Sequence, residues 1–285
     1  MIHQLNMYGK DKVQVAIDRL KTFEPAEGYY LAFSGGKDSV VIKALADMAG
    51  VKYDAHYRVT SVDPPELVQF IKECHPDVSM DVPKDKDGNR ITMWNLIPKR
   101  KIPPTRIARY CCQTLKEDGG KGRMTITGVR WAESSNRKNN QGEVTIYKGN
   151  KKVTDILKEN GNFSATTRGG VVLTNDNEES RKMIEQCYKL SKTVVNPIIE
   201  WTDEDVWEFI REYDIPYCKL YDEGYKRLGC IGCPMGTIER RIEDFERFPK
   251  FKKAYINAFQ RMLDGFDRET DWKNGQDVFD WWMSK

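Results

Sequence analysis

Apolar residues in this chain switch between two spacings. Val13, Ile17 and Leu20 recur at helical intervals and predict a lead-in helix over residues 11–22. Tyr29, Tyr30, Leu31, Ala32 and Phe33 form a continuous apolar run, the mark of a buried strand. Val40, Val41, Ala44, Leu45 and Met48 return to helical spacing. Val51, Tyr53, Ala55, Tyr57 and Val59 then alternate as a second strand, stopped by Asp63-Pro64-Pro65. A helix follows over 66–73 with Leu67, Phe70 and Ile71 on one face. Val78, Met80 and Val82 give a third short strand, and residues 124–127 a fourth. Strands alternating with helices predict an α/β protein with a parallel sheet and flanking helices. Ligands of such sheets sit beyond the carboxyl ends of the strands.

Residues 138–190 are rich in Lys, Asn, Gly and Thr, including Thr166-Thr167-Arg168-Gly169-Gly170. They read as an insertion with a hairpin excursion, mobile in the absence of ligand. Helical order returns over 179–190, with Met183, Cys187 and Leu190 in step. Thr202 reads as the N-cap of a following helix, with Trp201 stapled onto Val206. Asp203, Glu204 and Asp205 then complement the helix dipole rather than bind a metal. Val206, Phe209, Ile210 and Tyr213 form its buried stripe. The tail is helical and aromatic, ending in Phe279-Asp280-Trp281-Trp282, and is expected to pack on the sheet or on a second subunit, as in a homodimer. The expected organisation is a main domain over 1–237 carrying the insertion and a helical C-terminal extension over 238–285.

With 285 residues and 39% hydrophobic content, the chain can bury a core as one large domain or a domain with an appendage. Its 46 basic and 43 acidic residues leave a net charge of +3, no bulk case for nucleic-acid binding. No apolar run approaches the ~20 residues that span a bilayer, and polar residues rather than a signal-peptide core follow Met1-Ile2-His3-Gln4. A cytoplasmic location is expected. There, seven cysteines argue against a disulfide framework.

The candidate chemistry begins at Ser34-Gly35-Gly36-Lys37-Asp38-Ser39, between the first strand and the next helix. Two glycines let the backbone approach an anion, and amides at the helix start point at it. Ser34 and Ser39 supply hydroxyls, and Lys37 a point charge. The loop lacks the longer Gly-x-x-x-x-Gly-Lys frame of a Walker A motif. A second constellation is cysteine: Cys111-Cys112 are adjacent, and Cys230-Ile231-Gly232-Cys233 pairs two thiols across a turn. Four thiolates suit tetrahedral zinc or an iron–sulfur cluster. An adjacent pair fits one small ion poorly, so ligand geometry favours [4Fe-4S] over zinc. Cys74, Cys187 and Cys218 stand alone and read as small buried hydrophobes.

The loop resembles the PP-loop of ATP pyrophosphatases. Across roughly residues 28–240 the chain is similar to the phosphoadenosine phosphosulfate (PAPS) reductase family. The similarity rests on Phe33–Ser39; Tyr110-Cys111-Cys112 with Leu115-Lys116; Thr127-Gly128-Val129-Arg130 with Glu133, Ser134 and Arg137; and Asn196–Trp207 followed by Ile215-Pro216-Tyr217, Leu220-Tyr221, Gly224-Tyr225 and Leu228–Cys233. It implies an adenine nucleotide alpha-hydrolase-like fold. Ser34, Gly35, Gly36, Lys37, Asp38, Ser39, Gly128, Arg130 and Arg137 would then hold the nucleotide. Lys37, Asp38 and Ser39 would be catalytic, and Cys111, Cys112, Cys230 and Cys233 would ligate [4Fe-4S]. Reductases of the family use a further cysteine in a C-terminal tail, and no cysteine follows Cys233 in this sequence. The intact loop looks more like ATP-using relatives, among them the branch that activates sulfur transfer in DNA phosphorothioation.

The expected function is therefore cleavage of ATP with Mg²⁺ to AMP and pyrophosphate, activating an acceptor for sulfur transfer. The sulfur would come from a donor protein such as a cysteine desulfurase. The first alternative is a reductase of PAPS or adenylyl sulfate working with a thioredoxin-like reductant, with Cys218 as the nearest spare thiol. The second is a zinc-stabilised module binding nucleotide or nucleic acid, for which Lys99, Arg100, Lys101, Arg106 and Arg109 are the local basic run.

Overall fold

A computed structural model of the chain describes residues 2–5, 7–117, 119–147, 151–267 and 269–285, with side chains of 151 and 152 left aside. The insertion's residues 148–150 lie outside the described set. In chain order the elements are α1 (Lys12–Thr22), β1 (Tyr29–Ala32), α2 (Lys37–Ala49), β2 (Tyr53–Arg58), α3 (Pro65–Cys74) and β3 (Ser79–Asp81). There follow α4 (Met93–Arg100), α5 (Tyr110–Leu115), β4 (Thr125–Ile126), α6 (Ser135–Asn140), β5 (Val144–Tyr147) and α7 (Lys151–Glu159). The rest are β6 (Phe163–Ala165), β7 (Val171–Leu173), α8 (Glu178–Cys187), β8 (Lys192–Val195), α9 (Asp203–Glu212), α10 (Ile238–Arg247), α11 (Pro249–Asp264) and α12 (Gly275–Met283). No described helix is long and apolar enough to cross a membrane.

The strands form one sheet in the order β3-β2-β1-β4-β8-β5-β7-β6. Strand β1 pairs parallel with β2 and β4, and β4 parallel with β8. That is the expected α/β core with flanking helices. The insertion extends it rather than leaving it: β5 lies antiparallel on β8, and β6–β7 is a hairpin closed by Thr166–Gly170. The sheet is therefore mixed.

The chain divides into two compact units. The first comprises Met1–Tyr57, Phe70–Ser79 and Gly120–Gly224. The second comprises Arg58–Gln69, Met80–Gly119 and Tyr225–Lys285, so the helical C-terminal extension shares its unit with two earlier segments. Its aromatics pack there, not on the sheet: Phe245, Tyr255, Phe259, Phe279 and Trp282 join Val62, Leu96 and Tyr110 in one core. The Trp282 indole donates to the Pro104 carbonyl at 2.5 Å, and Arg241 stacks on the same ring. Of the tail residues singled out by sequence, Phe279 and Trp282 are buried within the unit.

Local predictions differ where neighbouring elements decide burial. Ile42 and Ala46 are buried on α2, while Met48 is exposed. On α8 the buried residues are Ser180 and Ile184, with Tyr188 just beyond, while Leu190 is exposed. Thr202 does cap α9, accepting from the Asp205 amide, and Trp201 packs edge-on against Phe209. Asp205 is wholly buried and bonds Lys12 at 2.6 Å and the Thr202 amide at 2.7 Å. Burial pushes its carboxyl up, but Lys12 and Thr202 outweigh that and hold it at about 2, below the ordinary 3.8. Its stabilisation is present above pH ~4 and lost as pH falls through about 2. Asp205→Asn should cost about 2 kcal/mol at pH 7 and flatten the acid limb below pH 4 in denaturant titrations.

Candidate nucleotide site and cysteine cluster

The parallel order places β1 between β2 and β4, with the chain winding outward on both sides. The crevice of such a sheet opens at the strand ends where that order reverses. Three neighbouring strands, β1, β4 and β8, end there, and each releases a loop that brings one part of the site.

From β1 comes the Ser34–Ser39 loop. Gly35 takes φ +73°, a conformation that favours glycine, and Gly36 caps α2 with its backbone alone. Ser39 Oγ donates to the Gly36 carbonyl at 2.8 Å, and Ser34 Oγ lies 3.2 Å from Ser39 Oγ. The Lys37 amide, at the positive end of α2, donates to Tyr221 Oη at 2.9 Å. From β4 comes Thr127-Gly128-Val129-Arg130. A Cβ on Gly128 would stand 2.9 Å from Asp38 Cβ, so only glycine allows this approach. From β8 comes the turn into α9, which presents Trp201 and Asp203.

Arg130 joins the three loops. It is 1% exposed. Its Nε donates to Asp38 Oδ1 at 2.7 Å, its Nη1 to the Trp201 carbonyl at 3.1 Å, and its Nη2 to Asp203 Oδ1. Buried Lys37 lies 3.4 Å from Asp38 and 3.3 Å from Asp203. Burial works against the Arg130 charge, yet Asp38 and Asp203 hold its pKa above the ordinary value. Burial likewise raises Asp203, but Arg130 and Lys37 draw it below the usual carboxylate range. Two cations and two carboxylates thus balance at one helix N-terminus.

Every residue placed in the loop by sequence lies here, with Gly128 and Arg130. Arg137 stands one link away, paired to Glu133 at 2.5 Å, while Glu133 accepts the Arg130 amide at 3.1 Å. Sequence reasoning missed Asp203, whose place at a helix start concealed its second role, and the hydroxyl of Tyr221. The signal for Asp203 was its position just after an apolar strand in a parallel sheet.

The four cysteines fall in the second unit. Cys111 and Cys112 lie on α5, a helix of six residues. Gly232 takes φ +66°, and a Cβ there would stand 2.2 Å from Phe245 Cζ. The Gly232 amide donates to Asp244 at 3.0 Å. The hydrogen bond to Cys112 raises the Cys111 thiol, and charge on Cys112, Cys230 and Cys233 raises it further. The bond from Cys111, helped by Arg109 against burial, draws Cys112 down to about 6. Burial pushes Cys230 up to about 12, with Lys116 opposing. Among the described residues no three His, Cys, Asp or Glu side chains are arranged to hold a metal ion. The donor set, four soft sulfurs in mutual electrostatic reach, fits a thiolate-ligated group and not an oxygen-seeking cation.

A parallel α/β sheet whose first strand ends in this Gly-Gly-Lys loop defines a protein of the PP-loop class. The family model described as phosphoadenosine phosphosulfate reductase domain matches residues 28–235. The chain belongs to the PAPS reductase family. It is 25% identical over 245 residues to an uncharacterised protein of Methanocaldococcus jannaschii, covering 84% of this chain and 48% of that one. The chain thus spans about half the length of that relative. It is 28% identical over 194 residues to an adenosine 5′-phosphosulfate reductase of Staphylococcus haemolyticus, covering 66% of this chain and 73% of the relative. The crystal structure of a PAPS reductase from Candida auris superposes with a TM-score of 0.46 at 14% identity, over 79% of this chain and 90% of that one.

Gly232→Ala should lower the stability of the second unit by about 1–3 kcal/mol, since neither the backbone nor Phe245 has room for a methyl group. Thermal unfolding monitored by tryptophan fluorescence reads this directly.

Proposed function

We propose that the protein binds ATP at the Ser34–Ser39 loop, cleaves it to AMP and pyrophosphate, and so activates an acceptor for sulfur transfer. The observation that carries this reading is the intact loop with Lys37, Arg130, Asp38 and Asp203 gathered at one helix N-terminus. The β- and γ-phosphates would take the loop amides and the Ser34 and Ser39 hydroxyls. An acceptor oxygen attacks the α-phosphorus. The bond to the bridging oxygen breaks, and pyrophosphate leaves with the electron pair. Lys37 stabilises the charge that develops on the leaving group. The terminal sulfur of a persulfide on a donor protein such as a cysteine desulfurase then attacks the activated carbon, AMP leaves with the acceptor oxygen and its electron pair, and a thiol reductant cleaves the resulting disulfide to free the donor.

Asp38 and Asp203 would hold Mg²⁺, which when bound neutralises charge across the phosphates. Gly128 keeps Asp38 close to the loop behind it, and Arg137 orients Glu133 against the Arg130 amide. Cys111, Cys112, Cys230 and Cys233 would hold a [4Fe-4S] cluster, which when bound supplies a thiophilic iron.

The similarity to a protein named adenosine 5′-phosphosulfate reductase supports a second reading, release of sulfite from a sulfonucleotide. That chemistry needs an accessible thiol. Cys218, the thiol nearest to the loop in sequence among the candidates after β8, is wholly buried.

With water in place of the acceptor oxygen, anaerobically purified protein incubated with ATP and Mg²⁺ should slowly yield AMP and pyrophosphate in equal amounts. Lys37→Ala should cut that release about 10²–10³-fold. ADP as the product, or sulfite from adenylyl sulfate with thioredoxin and no pyrophosphate from ATP, would overturn the reading. Metal analysis of the same preparation should find about four irons and four labile sulfides per chain; one zinc and no sulfide would replace the cluster by a structural clasp.

A further inference from the structure

Of the basic run Lys99, Arg100, Lys101, Arg106 and Arg109, Arg109 bears on the cysteine cluster through Cys112, and the structure sorts the rest. Lys101 pairs with Asp267 at 2.9 Å. Arg106 donates to the carbonyls of Pro234 and Gly236, both at 3.0 Å. Arg109 faces Glu117 at 3.5 Å. Lys99 and Arg100 make no close ion pair among the described residues, though Arg100 lies over the Tyr110 ring at 5.8 Å and Lys99 is within electrostatic reach of Asp85. Together with Arg90 they line a cleft of about 460 Å³ within the second unit.

The charge in this cleft is one-sided. Its carboxylate, Asp85, is committed to its own turn: Oδ1 accepts the Asp87 amide at 3.0 Å and the Asn89 amide at 2.8 Å. Three cations therefore face one internally bonded anion. Ile91 and Leu96 give the cleft an apolar wall, and Thr114 contributes a hydroxyl. The volume lies within the ~300–1,000 Å³ range of small-molecule sites. Cations beside an apolar wall match a phosphate ester borne on a flat, weakly polar group. One nucleotide residue has that make-up and about that size.

Thr114 also fixes where such a ligand would lie. It sits on α5 three residues after Cys111, which puts the two on one helix face. We propose that this cleft binds a nucleotide residue of the acceptor and holds it one helical turn from Cys111. The acceptor role rests on the sulfur-transfer reading above; the binding itself does not.

The test is binding of a fluorescein-labelled single-stranded oligonucleotide of ten residues, read by anisotropy at 50 mM salt. The wild-type chain should bind, and the exposed triple variant Arg90→Ala, Lys99→Ala, Arg100→Ala should bind at least ten-fold more weakly. The log-log salt slope for the one or two phosphates that flank a single residue should be about −1 and should shrink in the variant. Unlabelled AMP in competition separates two sources of the same chemistry: displacement marks a free nucleotide, no displacement a residue within a strand. Absence of wild-type binding, or equal binding by the variant, overturns the proposal. Pyrophosphate release from ATP, measured on both proteins, is independent of that outcome, so failure of the cleft and failure of the ATP reading are told apart.

Discussion

The Arg130 guanidinium is the contact on which the candidate site depends. A charge buried to 1% exposure is tolerated only when it is paired and hydrogen-bonded. Here Arg130 follows β4, and its partners come from two other loops: Asp38 after β1, and Trp201 and Asp203 after β8. Removing either carboxylate would leave the guanidinium under-compensated. The loops are therefore held in one arrangement by an electrostatic requirement that no single loop could satisfy. Lys37 is held beside the same carboxylates, so both cations are fixed in one arrangement.

The sheet order explains why these three loops meet. Strands β1, β4 and β8 are parallel neighbours, so their carboxyl ends lie side by side. Positions far apart in the chain, Asp38 and Asp203 among them, become adjacent because register aligns Leu31 with Ile126 and Ile126 with Val195. Gly128 completes the fit by allowing two backbones to approach.

Much of this could be read from the residues. The apolar run before Ser34 and the spacing after Ser39 defined strand, turn and helix because both periods are strong there. The family blocks gave Gly128 and Arg130. Asp203 was concealed because a carboxylate in the first turn of a helix already has a sufficient reason to be there. The insertion was harder to read: β5, β6 and β7 are only three or four residues each, too short for alternation to declare itself. The second unit was illegible for another reason. It is drawn from three separated segments, and no local pattern reports which distant segments share a core.

The antiparallel addition has a mechanical consequence. Without β5, β8 would be an edge strand, and its outward amides and carbonyls would face solvent directly behind the turn that carries Asp203. With β5 paired along Lys192–Val195, β8 is interior, and the sheet's free edge moves out to β6. Fraying and solvent exchange concentrate at such edges. The insertion thus works as a buffer, keeping the labile hydrogen bonds of that edge two strands beyond β5 and away from the backbone that leads to Asp203.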